Sequence, residues 1–155
     1  MTAPEISADS PVSPASPAAA APFVGPCPCG RADLRSKPIA YAQCCGRYVD
    51  HFDDSPAPDA ESLMRSRYTA FVRERADYLL ATWAASTRPT ELSFDAGAKW
   101  LGLEIRARAV RGADQAEVEF VARSRDATGR AHRLHERSRF VREEGRWYYV
   151  DGDLA

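Results

Sequence analysis

The spacing of hydrophobic positions changes along this chain from a helical to a strand period. From Ala60 onward Leu63, Met64, Tyr68, Phe71 and Val72 recur at three- and four-residue intervals, which predicts an amphipathic helix. Asp59 stands directly before it as an N-cap, and Glu61 falls in the first turn, where the helix dipole favours an anion. Tyr78, Leu79, Leu80 and Trp83 predict a second helix, and Ser86-Thr87-Arg88-Pro89 reads as its stop. Phe94 to Leu101 reads as a short third helix ended by Gly102. The period then falls to two. Leu103, Ile105, Ala107 and Ala109 alternate with Glu104, Arg106 and Arg108, and Ala116, Val118, Phe120 and Ala122 alternate with Glu117 and Glu119. After a turn at Asp126 to Gly129, strands are expected over His132 to Arg142 and Arg146 to Val150, joined as a hairpin through Glu143-Glu144-Gly145. Helices followed by antiparallel strands make an α+β order, in which the half-buried strands need the helices as cover.

Upstream of Asp59 no such period exists. Residues 1–22 are rich in Ala, Pro and Ser and predict a disordered tail. Ser10 to Gly30 is uncharged, but six prolines there prevent a lipid-facing helix from satisfying its own backbone. Glu5 and Asp9, with no Lys or Arg ahead of the alanines, do not make an export signal. The expected compartment is the reducing cytoplasm, where clustered cysteines are metal ligands or redox groups rather than disulfides. The 155 residues carry 21 basic and 22 acidic side chains, and residues 1–60 carry four basic and seven acidic ones. No segment is basic enough for bulk attraction to nucleic acid, so neither nucleic acid nor a membrane is an expected partner.

All four cysteines fall within nineteen residues: Cys27, Cys29, Cys44 and Cys45. Two close pairs separated by fourteen residues can surround a zinc ion tetrahedrally. Gly30 and Gly46 follow the two pairs and let the chain fold tightly so that amides point at thiolate sulfurs. The alternatives are four buried thiols without a metal, or a redox pair with Cys44–Cys45 as a strained vicinal disulfide.

Cys27-Pro28-Cys29-Gly30, then Tyr41, then Cys44-Cys45-Gly46, resembles the SEC-C motif, a zinc-binding module also found as the tail of the SecA translocation ATPase. The resemblance implies structural zinc held by Cys27, Cys29, Cys44 and Cys45, with Cys45 at the position that is Cys or His in the family. The loop between the pairs is about six residues longer here and carries Arg31, Arg35, Lys37 and Pro38. Lengthening a loop raises its closure cost only slowly, so the metal site tolerates it.

The body carries three further signatures: Leu63-Met64-Arg65-Ser66-Arg67-Tyr68-Thr69-Ala70-Phe71; Asp77-Tyr78-Leu79-Leu80 with Trp83 and Ser86-Thr87-Arg88-Pro89; and Leu134-His135-Glu136-Arg137-Ser138-Arg139-Phe140 with Gly145-Arg146-Trp147-Tyr148-Tyr149-Val150-Asp151-Gly152. Together with the cysteine module these resemble the bacterial YchJ family over residues 26–153. After the compositional tail over 1–22, the resemblance implies a SEC-C-like zinc module over 23–55 and a nuclear-transport-factor-2-like α+β domain over 56–155. That fold is a cone of helices under a curved antiparallel sheet, often enclosing a pocket. The family has no established activity.

Several residues remain as candidates for chemistry. On the strand from His132, Leu134, Glu136, Ser138 and Phe140 share one face, and His135, Arg137, Arg139 and Val141 the other. Glu136 and Ser138 between two apolar residues read as polar groups looking into the cone. His132 and His135 point to opposite faces and are not a chelating pair. His51 is a spare ligand only if a thiol were missing. Arg65 and Arg67 cannot both face the core, and one of them is expected to reach Glu136 or Asp151 beneath the sheet. The candidate pocket set is therefore Arg65, Tyr78, Trp83, Glu136, Ser138 and Asp151. A four-thiol metal site has no open position for substrate, so the expected metal is structural. No nucleophile–base spacing and no phosphate loop is visible. The first expectation is therefore a zinc-stabilised binding or adaptor protein with a protein partner at the zinc module. The alternative is a small-ligand carrier or small enzyme using the cone pocket, with Glu136, His135, Tyr78 or Asp151 as its working groups.

Overall fold

A computed structural model describes residues 23–155, and the expected tail over 1–22 lies outside the described residues. The helix predicted after Asp59 is α1, Ala60–Val72, and the Asp59 carboxylate accepts the Ser62 amide at 2.7 Å as the N-cap. Next comes α2, Ala76–Ala81. Trp83 lies past its end in an extended segment, where the Tyr149 amide donates to Thr82 O at 2.8 Å and the Ala84 amide donates to Tyr149 O at 2.7 Å. The third helix is overturned: no helix forms over Phe94 to Leu101, and strand geometry begins at Lys99. Phe94 instead packs its ring against Phe71, centroids 6.1 Å apart, from irregular backbone.

Four strands follow as an antiparallel meander, β1 Lys99–Gly112, β2 Gln115–Arg125, β3 Ala131–Glu143 and β4 Arg146–Leu154, in the spatial order β1-β2-β3-β4. Glu144 and Gly145 both have φ near +50° to +80°, the backbone that a two-residue hairpin turn requires. Register shifts within the β1–β2 pairing and one between Arg139 and Phe140 on the β3–β4 pairing bend and twist the sheet. Its inner face buries Val118, Phe120, Ala122, Ser138 and Phe140.

α1 packs on both sides. Glu61, Ser62, Arg65, Thr69 and Arg73 face the cysteine segment, while Met64, Arg67, Tyr68 and Phe71 face a cavity under the sheet. One buried apolar cluster runs from Cys27 and Tyr41 through Leu63 and Leu79 to Phe120 and Phe140. The proline-marked boundary near residue 56 therefore divides the sequence without dividing the core. Among the described residues no helix is long and apolar enough to cross a membrane.

Candidate functional site

The cysteine segment is held in shape by short-range backbone bonds. The Gly30 amide donates to Cys27 O at 3.1 Å, closing a turn at Cys27-Pro28-Cys29 with Gly30 at φ +76°. Bridges Pro26–Ala40 and Ala32–Pro38 zip the two arms of the lengthened loop together. A short 3-10 turn, Tyr41–Gln43, and a one-turn helix, Gly46–Val49, then present Cys44 and Cys45. Gly46 is needed for space: a Cβ there would sit 2.8 Å from Tyr41 O and 2.9 Å from its ring.

The four sulfurs lie within 4.8 Å of one another, with Cys29 and Cys44 3.6 Å apart, and all four residues are at most 5 % exposed. A tetrahedral ion bound by thiolates at about 2.3 Å holds its sulfurs ~3.8 Å apart. All four cysteines are free, so Cys44 and Cys45 form no vicinal disulfide. Hydrogen bonds from the Cys29, Cys44 and Cys45 side chains and the Cys29 amide push the Cys27 thiol far below its ordinary range. The same crowding, with Cys27 the strongest contributor, holds Cys44 and Cys45 far above it. Four packed thiols cannot all ionise without a cation between them, and the donor set is compatible with a metal ion.

This cage leans on α1. Cys27 Sγ lies 3.7 Å from Thr69 Oγ1, Arg65 donates to Cys29 O at 3.1 Å, and Arg31 pairs with Glu61 at 2.8 Å. Arg73 donates to Tyr41 Oη at 2.8 Å, and Arg75 pairs with Asp50 at 2.6 Å. His51 is not among the clustered ligands.

Across α1 lies a second site. A cavity of about 220 Å³ is walled by Tyr68, Phe71, Trp83, Trp100, Phe120 and Tyr149, with Met64, Ala122 and Leu134 between them. Its polar groups are Arg67, Glu136 and Ser138. Arg67 is only 3 % exposed. Its Nη1 donates to Leu79 O and Thr82 Oγ1, both at 2.8 Å, and its guanidinium lies 4.9 Å from the Trp83 ring centre and 4.6 Å from that of Tyr149. Burial lowers its pKa to about 10, which leaves it charged at neutral pH. Tyr149 Oη donates to Glu136 Oε1 at 3.2 Å. Burial raises the Glu136 carboxyl above the ordinary range, opposed by the Tyr149 bond and the Arg67 charge. Gly152 makes room for it, because a Cβ at that position would overlap the Glu136 carboxyl group. Ser138 Oγ and Trp83 Nε1 are buried with no hydrogen-bond partner among the described residues.

The structure thus gathers Trp83, Glu136 and Ser138 at one cavity and places the other expected pocket residues elsewhere. Arg65 serves the cysteine segment, and the residue under the sheet is Arg67. Tyr78 is buried against Ser66, Oη to Oγ 2.7 Å, behind the helix pair. Asp151 lies on the outer face with Arg139, 2.5 Å away. His135 and His132 are also outside the cavity, beside Glu119 and Asp126. Tyr149 is a cavity group absent from the expected pocket set, because the run Trp147-Tyr148-Tyr149 does not by itself say which ring turns inward. Arg67 takes the inward place that the expected set gave to Arg65, because the spacing of two arginines two apart does not say which one turns inward.

The model of the YchJ middle nuclear-transport-factor-2-like domain matches residues 59–152. A UPF0225 protein of Polaromonas sp. is 67 % identical over 137 residues, covering 88 % of this chain and 98 % of that protein. A UPF0225 protein of Bordetella pertussis is 59 % identical over 129 residues, covering 83 % and 92 %. The solution structure of a SEC-C motif containing protein from Rhodopseudomonas palustris is 30 % identical, with a TM-score of 0.69, and covers 84 % of this chain and 99 % of its own. The crystal structure of a SEC-C motif containing protein from Psychrobacter arcticus is also 30 % identical, with a TM-score of 0.67, and covers 84 % and 82 %.

Proposed function

The chain belongs to the YchJ family, and from that membership and its two-sided helix we propose that it is a small-molecule-binding protein whose cone cavity holds the ligand and whose cysteine cage holds structural zinc. One observation carries this reading. A 220 Å³ aromatic cavity is bordered by a buried guanidinium and by two buried polar atoms, Ser138 Oγ and Trp83 Nε1, that have no hydrogen-bond partner among the described residues. Buried polar groups without partners are rare, and a cavity with a few convergent polar groups is the usual form of a ligand site. A closed tetrahedral set of four thiolates with no position left for substrate suits structural zinc. Cys27, Cys29, Cys44 and Cys45 would hold it, and its chemistry there is to order the segment that covers one side of α1.

Titration with small aromatic compounds, read by the fluorescence of Trp83 and Trp100, tests the cavity. Saturable quenching that disappears in Ala122→Leu, which fills the cavity from β2, supports it. Quenching that survives that filling refutes it. Elemental analysis with thiol titration tests the metal: one zinc per chain with four protected thiols is the expected result.

A protein partner at the metal segment is the second reading. Leu34, fully exposed at the tip of the lengthened loop beside Arg35 and Lys37, favours it. Leu34→Glu would abolish such binding and leave cavity titrations unchanged.

A further inference from the structure

We propose that the cavity takes a small monocarboxylate with an apolar body, its carboxylate seated at Arg67, and that Glu136 takes up a proton when that anion binds. This rests on the small-molecule reading of the same cavity.

The polar groups of the cavity gather at one end. Arg67 lies against both the Trp83 and Tyr149 rings, which pack edge-to-face on each other, Tyr149 holds Glu136, and Ser138 follows Glu136 on the same face of β3. The other end is apolar. Trp100 packs there on Tyr68 and Phe71 with ring centres 5.6 and 5.9 Å apart. A ligand that satisfies both ends is an amphiphile with a compact head. Size limits its body: a cavity of ~150 Å³ holds benzene, so 220 Å³ holds about nine non-hydrogen atoms. That is the size of a benzoate or a branched short-chain acid.

The sign of the head follows from the charges. Among the described residues Arg67 has no carboxylate within ion-pair distance, although it is buried and its Nη1 reaches only a carbonyl and a hydroxyl. A desolvated guanidinium with spare donors fits a carboxylate, which it can grip through two nitrogens. Ser138 Oγ and Trp83 Nε1 are further donors without partners at that end.

Glu136 then decides the proton count. The groups bearing on it are Arg67 from α1, Tyr149 and Asp153 from β4, and Arg139 on β3 itself, while its partner on β2 is the uncharged Phe120. A ligand carboxylate seated at Arg67 brings a second negative charge up to the half-buried Glu136, and like charges that close disfavour ionisation of both. Glu136 is already biased toward its neutral form by burial. When the ligand anion arrives, Glu136 protonates, and its new O–H donates to the incoming carboxylate. One proton passes from solvent to Glu136, and no other bond changes. Above the pKa of Glu136 in the free protein, each bound anion therefore brings one proton, and affinity rises as pH falls.

The test uses the full chain with benzoate, benzamide, benzyl alcohol and benzylamine, titrated to about 10 mM by fluorescence and calorimetry at pH 6, 7 and 8. The expected result is that benzoate binds tightest, weakening up to about tenfold per pH unit, with one proton taken up as judged in buffers of different ionisation enthalpy. Glu136→Gln should bind benzoate at least as well and lose the pH dependence. Arg67→Met should lose benzoate selectivity. Because Arg67 also ties down the end of α2, Ser138→Ala serves as the milder variant and should weaken benzoate several-fold while leaving benzyl alcohol unchanged. If benzamide and benzyl alcohol bind as well as benzoate at every pH, the anion proposal is overturned while the cavity reading stands. If none of the four binds, both fail.

Discussion

Replacing Cys44 and Cys45 together by serine should destabilise the whole chain and not the cysteine segment alone. The sequence treats residues 23–55 and 56–155 as separate units, on which basis the second would survive loss of the first. The buried cluster that includes residues of both segments argues for one cooperative unit instead, because the thiol cage covers one side of α1. Tyr41, Tyr48 and Val49 are 2 %, 7 % and 3 % exposed, and all belong to the core cluster that reaches Phe120 and Phe140. Three such side chains at about 1.5–3 kcal/mol each contribute roughly 5–9 kcal/mol of burial, an upper figure because the unfolded chain is partly compact. A metal held by the four thiols would add to this, since binding energy of about 10–16 kcal/mol in small zinc modules is folding energy for the segment that supplies the ligands. A domain of this size is stable by only about 5–15 kcal/mol. Losing the lower figure lowers the melting temperature by about 10–20 °C at ~2–4 °C per kcal/mol. Hydrogen exchange reads the pattern directly. Amides of residues 25–49, α1 and the strands around Phe120 and Phe140 should lose protection together in the double variant, and in the wild type treated with a strong chelator. Undiminished strand protection beside a fully exchanging cysteine segment would refute the shared core.

Three further outcomes follow from single contacts. Gly46→Ala should cost about 1–3 kcal/mol in thermal melts, because its methyl must displace the Tyr41 backbone and ring. Asp59→Ala should cost about 1 kcal/mol, a fall of ~2–4 °C in melting temperature, through loss of the cap on the Ser62 amide. Glu136 is protonated more readily folded than unfolded, so from the ordinary carboxylate pKa upward the folded state holds more of its proton than the unfolded state does. Its contribution to stability is therefore fully present at acid pH and is lost as pH rises through its folded pKa. Urea melts between about pH 4 and 7 should show a shallower decline in Glu136→Gln than in the wild type.

Legibility in the sequence tracked how local each determinant is. The strands were readable because the period-2 alternation from Leu103 to Ala122 is a property of neighbours, as were the Asp59 cap and the Glu144-Gly145 turn. The expected helix over Phe94 to Leu101 does not form because its two large aromatic residues have separate destinations. They are buried by different elements: Phe94 by α1 from a coil, and Trp100 as the first inward residue of β1. The inward face of β3 was legible from Leu134 to Phe140. Its partners across the cavity were not, because choosing Arg67 over Arg65 depends on which side of α1 meets the sheet. That choice is made by the cysteine segment on the other side. A helix buried on two faces has no single apolar stripe, and its polar residues on one flank are there to meet Cys29, Arg31 and Tyr41.

Gly152 also limits how relatives of this chain can diverge. The carboxyl group of Glu136 occupies the space where any side chain at 152 would begin. A chain that acquires even alanine at 152 must shorten residue 136 or swing its carboxyl off the Tyr149 hydroxyl and out of line with Arg67. The two positions are thus coupled through the placement of the Glu136 carboxyl group. In an alignment, glycine at 152 should accompany a long acid at 136, and larger residues at 152 should appear beside small or apolar ones at 136, marking the members whose cavities recognise a different head group.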